Sequence, residues 1–206
     1  MGLDSKQHWE TIYQTKSAQE VSWTQVVPQV SIDLIQATGL PKDAAIIDIG
    51  GGDSNLVDHL LALGYSNITV LDISAHAIQK AQARLGEKAH SVKWIVTDIL
   101  NFKPESPYQL WHDRAAFHFL TEKNQIDTYL QLVKTNAPKQ LIIGTFSVDG
   151  PLKCSGINIH QYDEDSLPKT FESIGYTNQG CNRHHHTTPF GTVQDFIFCS
   201  FKKHQD

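Results

Sequence analysis

Residues 46–55, IIDIGGGDSN, constrain this chain more than any other stretch: an apolar run ends in an acid, three glycines and a polar turn, and a helical pattern begins at Leu56. A strand-to-helix turn this tight visits positive φ, and only hydrogen side chains let a ligand approach the backbone closely. The segment therefore predicts a backbone cradle for a nucleoside-bearing ligand at the carboxyl end of a strand. The dinucleotide pattern G-x-G-x-x-G, started at Gly50, requires glycine at position 55. Asn55 stands there, so that pattern fails at its third glycine.

Two further strands are expected to end in acids. Residues 68–71 form a short apolar run closing on Asp72, about 20 residues past Gly52, where a second strand's tip holds a ribose-binding carboxylate. Val92–Val96 closes on Thr97, Asp98 and Ile99. An acid after a strand also caps helices and starts turns, so each of the three has a purely structural reading as well.

Helical and strand patterns alternate along the rest of the chain. Val26, Val30, Leu34 and Ile35 form a helical stripe ending at Gly39, and residues 45–49 give the first strand. Ser74 is a candidate N-cap, residues 108–112 and 141–146 read as fourth and fifth strands, and residues 176–183 and 193–201 read as a hairpin. Apolar strands alternating with helices predict a mostly parallel sheet covered on both faces. Its ligand chemistry then gathers at the strands' carboxyl ends, with Asp48, Asp72, Asp98 and His112.

Composition excludes several classes. A net charge of −5 over 206 residues argues against a general nucleic-acid surface. The N-terminus MGLDSKQHWE lacks an apolar signal core and carries Lys6 where a myristoylation signal needs Ser or Thr, and no run approaches membrane-spanning length. Three cysteines, Cys154, Cys181 and Cys199, are too few and irregular for a disulfide framework, so a reducing compartment, the cytoplasm, is expected.

The D-x-G-x-G-x-S reading of Asp48, Gly50, Gly52 and Ser54 resembles the first motif of class I S-adenosylmethionine-dependent methyltransferases, with serine in place of the usual last glycine. HWETIY (8–13), VSWTQ (21–25), LWHDRAAFHFLTE (110–122), TFSVDGPLKCSG (145–156) and HTTPFGTVQDF (186–196) look like a bacterial, type 11/12-like branch of that family. The resemblance implies a single domain over 1–206 with residues 1–25 as a lid. Its fold would be a Rossmann-like doubly wound sheet of about seven strands, mostly parallel, closed by a C-terminal antiparallel hairpin. It implies S-adenosylmethionine as cofactor, held by Asp48, Gly50, Gly51, Gly52 and Asn55 at the glycine turn. Asp72 and Ile73 would face the ribose, Asp98 the adenine amino group with Ile99 over the ring, and Trp23 would join Trp9 and Tyr13 in the lid.

Methyl transfer is an in-line displacement that positioning alone can largely supply, and a base is needed only for a protonated nucleophile. His112 or Asp113, at the end of the expected fourth strand, is the candidate base. Asp113 alternatively holds the cofactor's methionine amino group, and Arg114 pairs with a nearby carboxylate. Tyr13, Arg114, His118, Cys154 and His186 are expected around the acceptor, although for His118 within FHFL the reading as a packed, hydrogen-bonded core histidine is the favoured one. The run His184–His186 lacks metal-ligand spacing, and no metal is expected. Three readings follow: a small-molecule methyltransferase, a protein lysine methyltransferase, and a cofactor- or metal-binding protein without turnover. The second is motivated by Asp113-Arg114, which resembles the D-K-G element of lysine methyltransferases acting on translation factors, with Ala115 in place of glycine. Expected partners are a small-molecule or protein acceptor, without nucleic acid or membrane, and the assembly is a monomer or weak dimer.

Overall fold

A computed structural model of the chain describes residues 5–204, so the first four residues of the expected lid, and the Gly2 of the myristoylation reading, lie outside the described residues. In chain order the elements are α1 Ser5–Thr15, α2 Gln29–Ala37, β1 Ile46–Ile49, α3 Leu56–Ala62, β2 Ile68–Asp72, α4 Ala75–Leu85, β3 Val92–Val96, β4 Leu110–Arg114 and α5 Lys123–Asn136. They continue with β5 Gln140–Phe146, the short pair β6 Lys153–Cys154 and β7 Ile157–Asn158, α6 Ser166–Glu172, β8 Tyr176–Thr187 and β9 Val193–Lys203.

Seven strands form one sheet in the order β3-β2-β1-β4-β5-β9-β8. The first five are parallel, β9 runs antiparallel to β5, and β8 runs antiparallel to β9. The expected fold class is the observed one. Winding reverses between β1 and β4, and in open α/β sheets the crevice at such a switch is where ligands bind.

The period of two along each strand sorts side chains between two cores. Ile47, Ile49, Trp111, Leu141 and Ile143 pack with Tyr129, Phe171 and Phe201 on one face. Ile46, Leu110 and Ile142 pack with Ile35, Leu56 and Leu60 on the other. The same alternation sends Asp48 and His112, which are register partners across β1 and β4, to the second face, and Asp113 to the first.

Local signals account for several boundaries. Ser74 caps α4, its Oγ accepting from the Ala77 amide at 3.2 Å. Helix α2 begins at Gln29, directly after Pro28, so Val26 of the expected stripe stays outside it and is 81% exposed. Strand β4 starts and ends two residues later than expected, which matters for the site. Cys181 and Cys199 face each other across β8 and β9 and are joined as a disulfide, a pairing that irregular spacing in sequence had argued against. Among the described residues no helix is long and apolar enough to cross a membrane.

Candidate active site

The glycine turn is built around two carboxylates. Gly50 (φ 65°) and Gly52 (φ 24°) sit at positive φ. A Cβ on Gly51 would lie 2.5 Å from Asp48 Oδ2, and one on Gly52 would lie 2.5 Å from Asp72 Oδ2, so each glycine makes room for an acid. A Cβ on Gly50 would meet the Ala116 methyl at 2.9 Å, which is how the turn after β4 closes on the turn after β1. Ser54 takes part in starting α3, its Oγ accepting from the Leu56 amide at 3.2 Å.

Asp72 ends β2 and lines the cleft while 4% exposed, with Oδ1 accepting from the Ser74 amide at 2.8 Å. Burial, opposed by that amide and reinforced by the charges of Asp48 and Glu10, pushes its carboxyl up to about 7. Asp98 lines the cleft beyond it and accepts from the Leu100 amide at 2.9 Å, capping the 3-10 turn Ile99–Asn101. Ile73 and Ile99 line the same wall.

At β4 the geometry departs from expectation. His112 is interior: Nδ1 lies 2.6 Å from Asp48 Oδ1 and Nε2 2.9 Å from Ser31 Oγ, so both ring nitrogens are engaged away from the cleft. Asp113 is fully buried on the opposite face. Its Oδ1 accepts from the Ala116 and Phe117 amides, and its Oδ2 from the Tyr129 hydroxyl at 2.7 Å. Burial raises that carboxyl to about 6 against those bonds. Neither residue lines the cleft, because the two-residue shift of β4 embeds both in the sheet and leaves Arg114 at the tip. Arg114 does line it. Ala115 follows at φ 64°, the left-handed conformation that favours glycine, so alanine makes the turn that the D-K-G comparison assigns to glycine.

The N-terminal segment crosses this crevice. Glu10, which the sequence reading did not single out, grips the start of α4. It accepts from Ser74 Oγ at 2.8 Å and the Ala75 amide at 2.9 Å, and pairs with His76 Nδ1 at 2.7 Å. Although burial works against it, these bonds bring its carboxyl down to about 2. Its only signal in sequence is an acid within the HWETIY stretch. Trp9, Tyr13 and Trp23 line the cleft beside Phe119, with ring centroids 5.6 Å apart for Trp9–Trp23 and 5.1 Å for Trp9–Phe119. The backbone leaving the lid is held by its carbonyls. Arg114 Nη1 donates to Trp23 O at 3.2 Å, His186 Nε2 lies 2.6 Å from Ser22 O, and Asn55 Nδ2 donates to Gln25 O at 3.0 Å. Asn55 and His186 thus hold the lid instead of lining the main cleft.

The cleft has a cavity volume of about 180 Å³. Of the expected residues it brings together Tyr13, Trp23, Gly50, Asp72, Ile73, Asp98, Ile99, Arg114 and Cys154, with Asp48, Gly51 and Gly52 forming the layer behind. His118 is a core histidine: it stacks on Phe146, its Nδ1 accepts from the Phe146 amide, and burial brings its pKa down to about 3. Cys154, on β6, adds a buried thiol that burial pushes up to about 11. Phe119, Leu120 and Ile157 complete the apolar end and carry no sequence signal beyond hydrophobicity. Among the described residues no three His, Cys, Asp or Glu side chains come together as a metal site.

Residues 46–138 match the family model of a methyltransferase domain. The chain is 27% identical over 158 residues to human EEF1A lysine methyltransferase 2, a match covering 71% of this chain and 67% of that relative. It spans 52% of the mouse counterpart. An S-adenosylmethionine-dependent methyltransferase from Anabaena variabilis has the same fold, with a TM-score of 0.75 at 14% identity, covering 98% of this chain and 96% of that one. So does 1,6-didemethyltoxoflavin-N1-methyltransferase from Burkholderia thailandensis, with a TM-score of 0.67 at 16% identity, covering 98% and 85%. Residues 46–138 thus carry a methyltransferase domain, and the fold and glycine turn are those of class I S-adenosylmethionine-dependent methyltransferases. The donor set suits that cofactor: two acid-tipped strands beside a turn with no room for side chains can take a nucleoside, and the crevice before β4 can take its charged tail.

Proposed function

We propose that this methyltransferase modifies a small-molecule acceptor. The observation that carries the reading is the charge in the cleft. Its charged side chains among the described residues are Asp72, Asp98 and Arg114, and the one at the β4 end is the cation. A lysine ammonium brought to that end meets a guanidinium and aromatic walls with no carboxylate to receive it. Trp9, Tyr13 and Trp23 of the N-terminal segment, standing beside Phe119 at the apolar end, favour a compact acceptor as well.

In this reading Asp72 accepts from both ribose hydroxyls, and Ile73 packs beside them. Asp98 faces the adenine amino group with Ile99 over the ring, and Gly50–Gly52, backed by Asp48, form the floor. S-adenosylmethionine supplies a methyl on a positively charged sulfur. The chain's own residues orient it, shield it from water with Trp9, Tyr13 and Trp23, and hold the acceptor in line. His112 acts through Asp48 as a positioning residue, and Asp113 through the turn that presents Arg114. We further propose that residues 1–206 act as one domain, as a monomer or weak dimer without nucleic-acid or membrane partners, in keeping with the net charge of −5.

The relation to human EEF1A lysine methyltransferase 2 favours a protein lysine as the second reading. Incubating the protein with methyl-labelled donor and a cell extract, then separating the products by size, distinguishes the two. Label below about 1 kDa is the expected result, and label confined to protein would establish the alternative.

A further inference from the structure

Among the described residues Arg114 forms no ion pair. Its guanidinium has five N–H donors, and among the described residues it makes a single hydrogen bond, to Trp23 O. Burial lowers its pKa, with Asp48 and Tyr13 pulling the other way, so the side chain is held partly dry in the cleft wall. It stands at the tip of β4, on the far side of β1 from Asp72 and Asp98. With S-adenosylmethionine bound, its sulfonium would be a second cation in the same low-dielectric crevice, and the two would repel unless an anion lay between them.

We propose that this anion is the acceptor itself, a small carboxylate with a flat apolar body, anchored through its charge by Arg114; this rests on the small-molecule reading above. A planar guanidinium fork matches a carboxylate. Beside it stand Trp9, Trp23, Phe119, Leu120 and Ile157, which suit a flat apolar body. The lack of a base at this end fits the same chemistry, because His112 and Asp113 are committed to the sheet. A carboxylic acid binds already ionised at neutral pH. Its oxygen lone pair forms the new carbon–oxygen bond while the methyl–sulfur bond breaks with its electron pair going to sulfur, and no proton is transferred. The ester product has lost its charge, and with it its hold on Arg114.

The test uses the full chain saturated with S-adenosylhomocysteine, titrated with benzoate and benzamide as probes. Benzoate should bind at least tenfold more tightly than benzamide. That preference should disappear in Arg114→Met and be largely kept in Arg114→Lys, while S-adenosylhomocysteine affinity, which also reports folding, changes less than threefold. Equal binding of the two probes would overturn the proposal. So would an Arg114→Met variant that loses S-adenosylhomocysteine affinity but keeps that for 5′-methylthioadenosine, since Arg114 would then hold the cofactor's own carboxylate. In the extract experiment, methyl esters release volatile labelled methanol in alkali. Alkali-stable label in the small-molecule fraction overturns this inference alone, whereas label only on protein overturns the small-molecule reading and this inference with it.

Discussion

Asp72 carries a carboxyl raised to about 7, yet it must be ionised to accept from two ribose hydroxyls. Its folded pKa lies above the ordinary carboxyl value of 3.8, so its contribution to folding is fully present below about 3.8 and is lost as pH rises through about 7. Cofactor binding runs the other way, since it favours the charged form. Affinity for S-adenosylmethionine should rise up to about tenfold per pH unit below pH 7, then level off, with proton release visible by calorimetry in buffers of different ionisation heat. Asp72→Ala should weaken binding by about 1–3 kcal/mol and flatten that dependence. His112 belongs to the same layer. With Nδ1 on Asp48 and Nε2 on Ser31, its replacement by Ala breaks a buried pair and should cost roughly 3–5 kcal/mol of stability. Cofactor binding and transfer should fall together, and a selective loss of turnover would return His112 to the reaction centre. The acids at 48, 72 and 98 were legible from sequence because each falls at or next to the end of an apolar run. His112 and Asp113 misled because the same rule, applied to a strand set two residues too early, put them past a tip that Arg114 occupies.

At the scale of elements, the N-terminal helix is tied down by one side chain more than by its own pattern. Glu10 gives α4 the negative group that a helix start attracts, with its charge held by His76, Ala75 and Ser74. Because its pKa falls from 4.5 to about 2, its contribution is complete above about 4.5 and is lost as pH drops toward about 2. Glu10→Ala should destabilise the docked helix by about 1–3 kcal/mol at pH 7, seen as faster proteolysis within residues 1–25 that added cofactor partly suppresses. Identical cleavage in both proteins would mean that the aromatic contacts suffice. The β8–β9 pair makes a separate case. Its disulfide closes a loop of 18 residues, and reduction should lower stability by about 3 kcal/mol if the chain-entropy account holds. Thermal unfolding with and without dithiothreitol measures this, and an unchanged midpoint would mean the 11-pair ladder carries the hairpin unaided. Glu10 was not foreseeable, because it joins segments whose proximity depends on the completed sheet, whereas the disulfide turns on the register of a hairpin that the sequence did announce.

For the whole molecule, sequence determined what a short window can encode. A glycine turn after an apolar strand, two further acid-ended strands and alternating helices dictate a parallel, doubly wound sheet, and they imply a nucleoside-bearing methyl donor at its carboxyl edge. Those features are local: residues that make the turn and the strand tips also line the cleft. Tertiary structure decided the rest. Register between β1 and β4 put His112 against Asp48 and gave the tip to Arg114, and the path of the N-terminal segment set Glu10 on α4 and Trp9 against Phe119. Such pairings depend on where a strand starts relative to its neighbour, and a one-residue slip turns every side chain to the other face. The cofactor was therefore written in the sequence, and Arg114 was already expected near the acceptor, while its place at the tip of β4 against Trp23 O was decided only when the strands were set side by side.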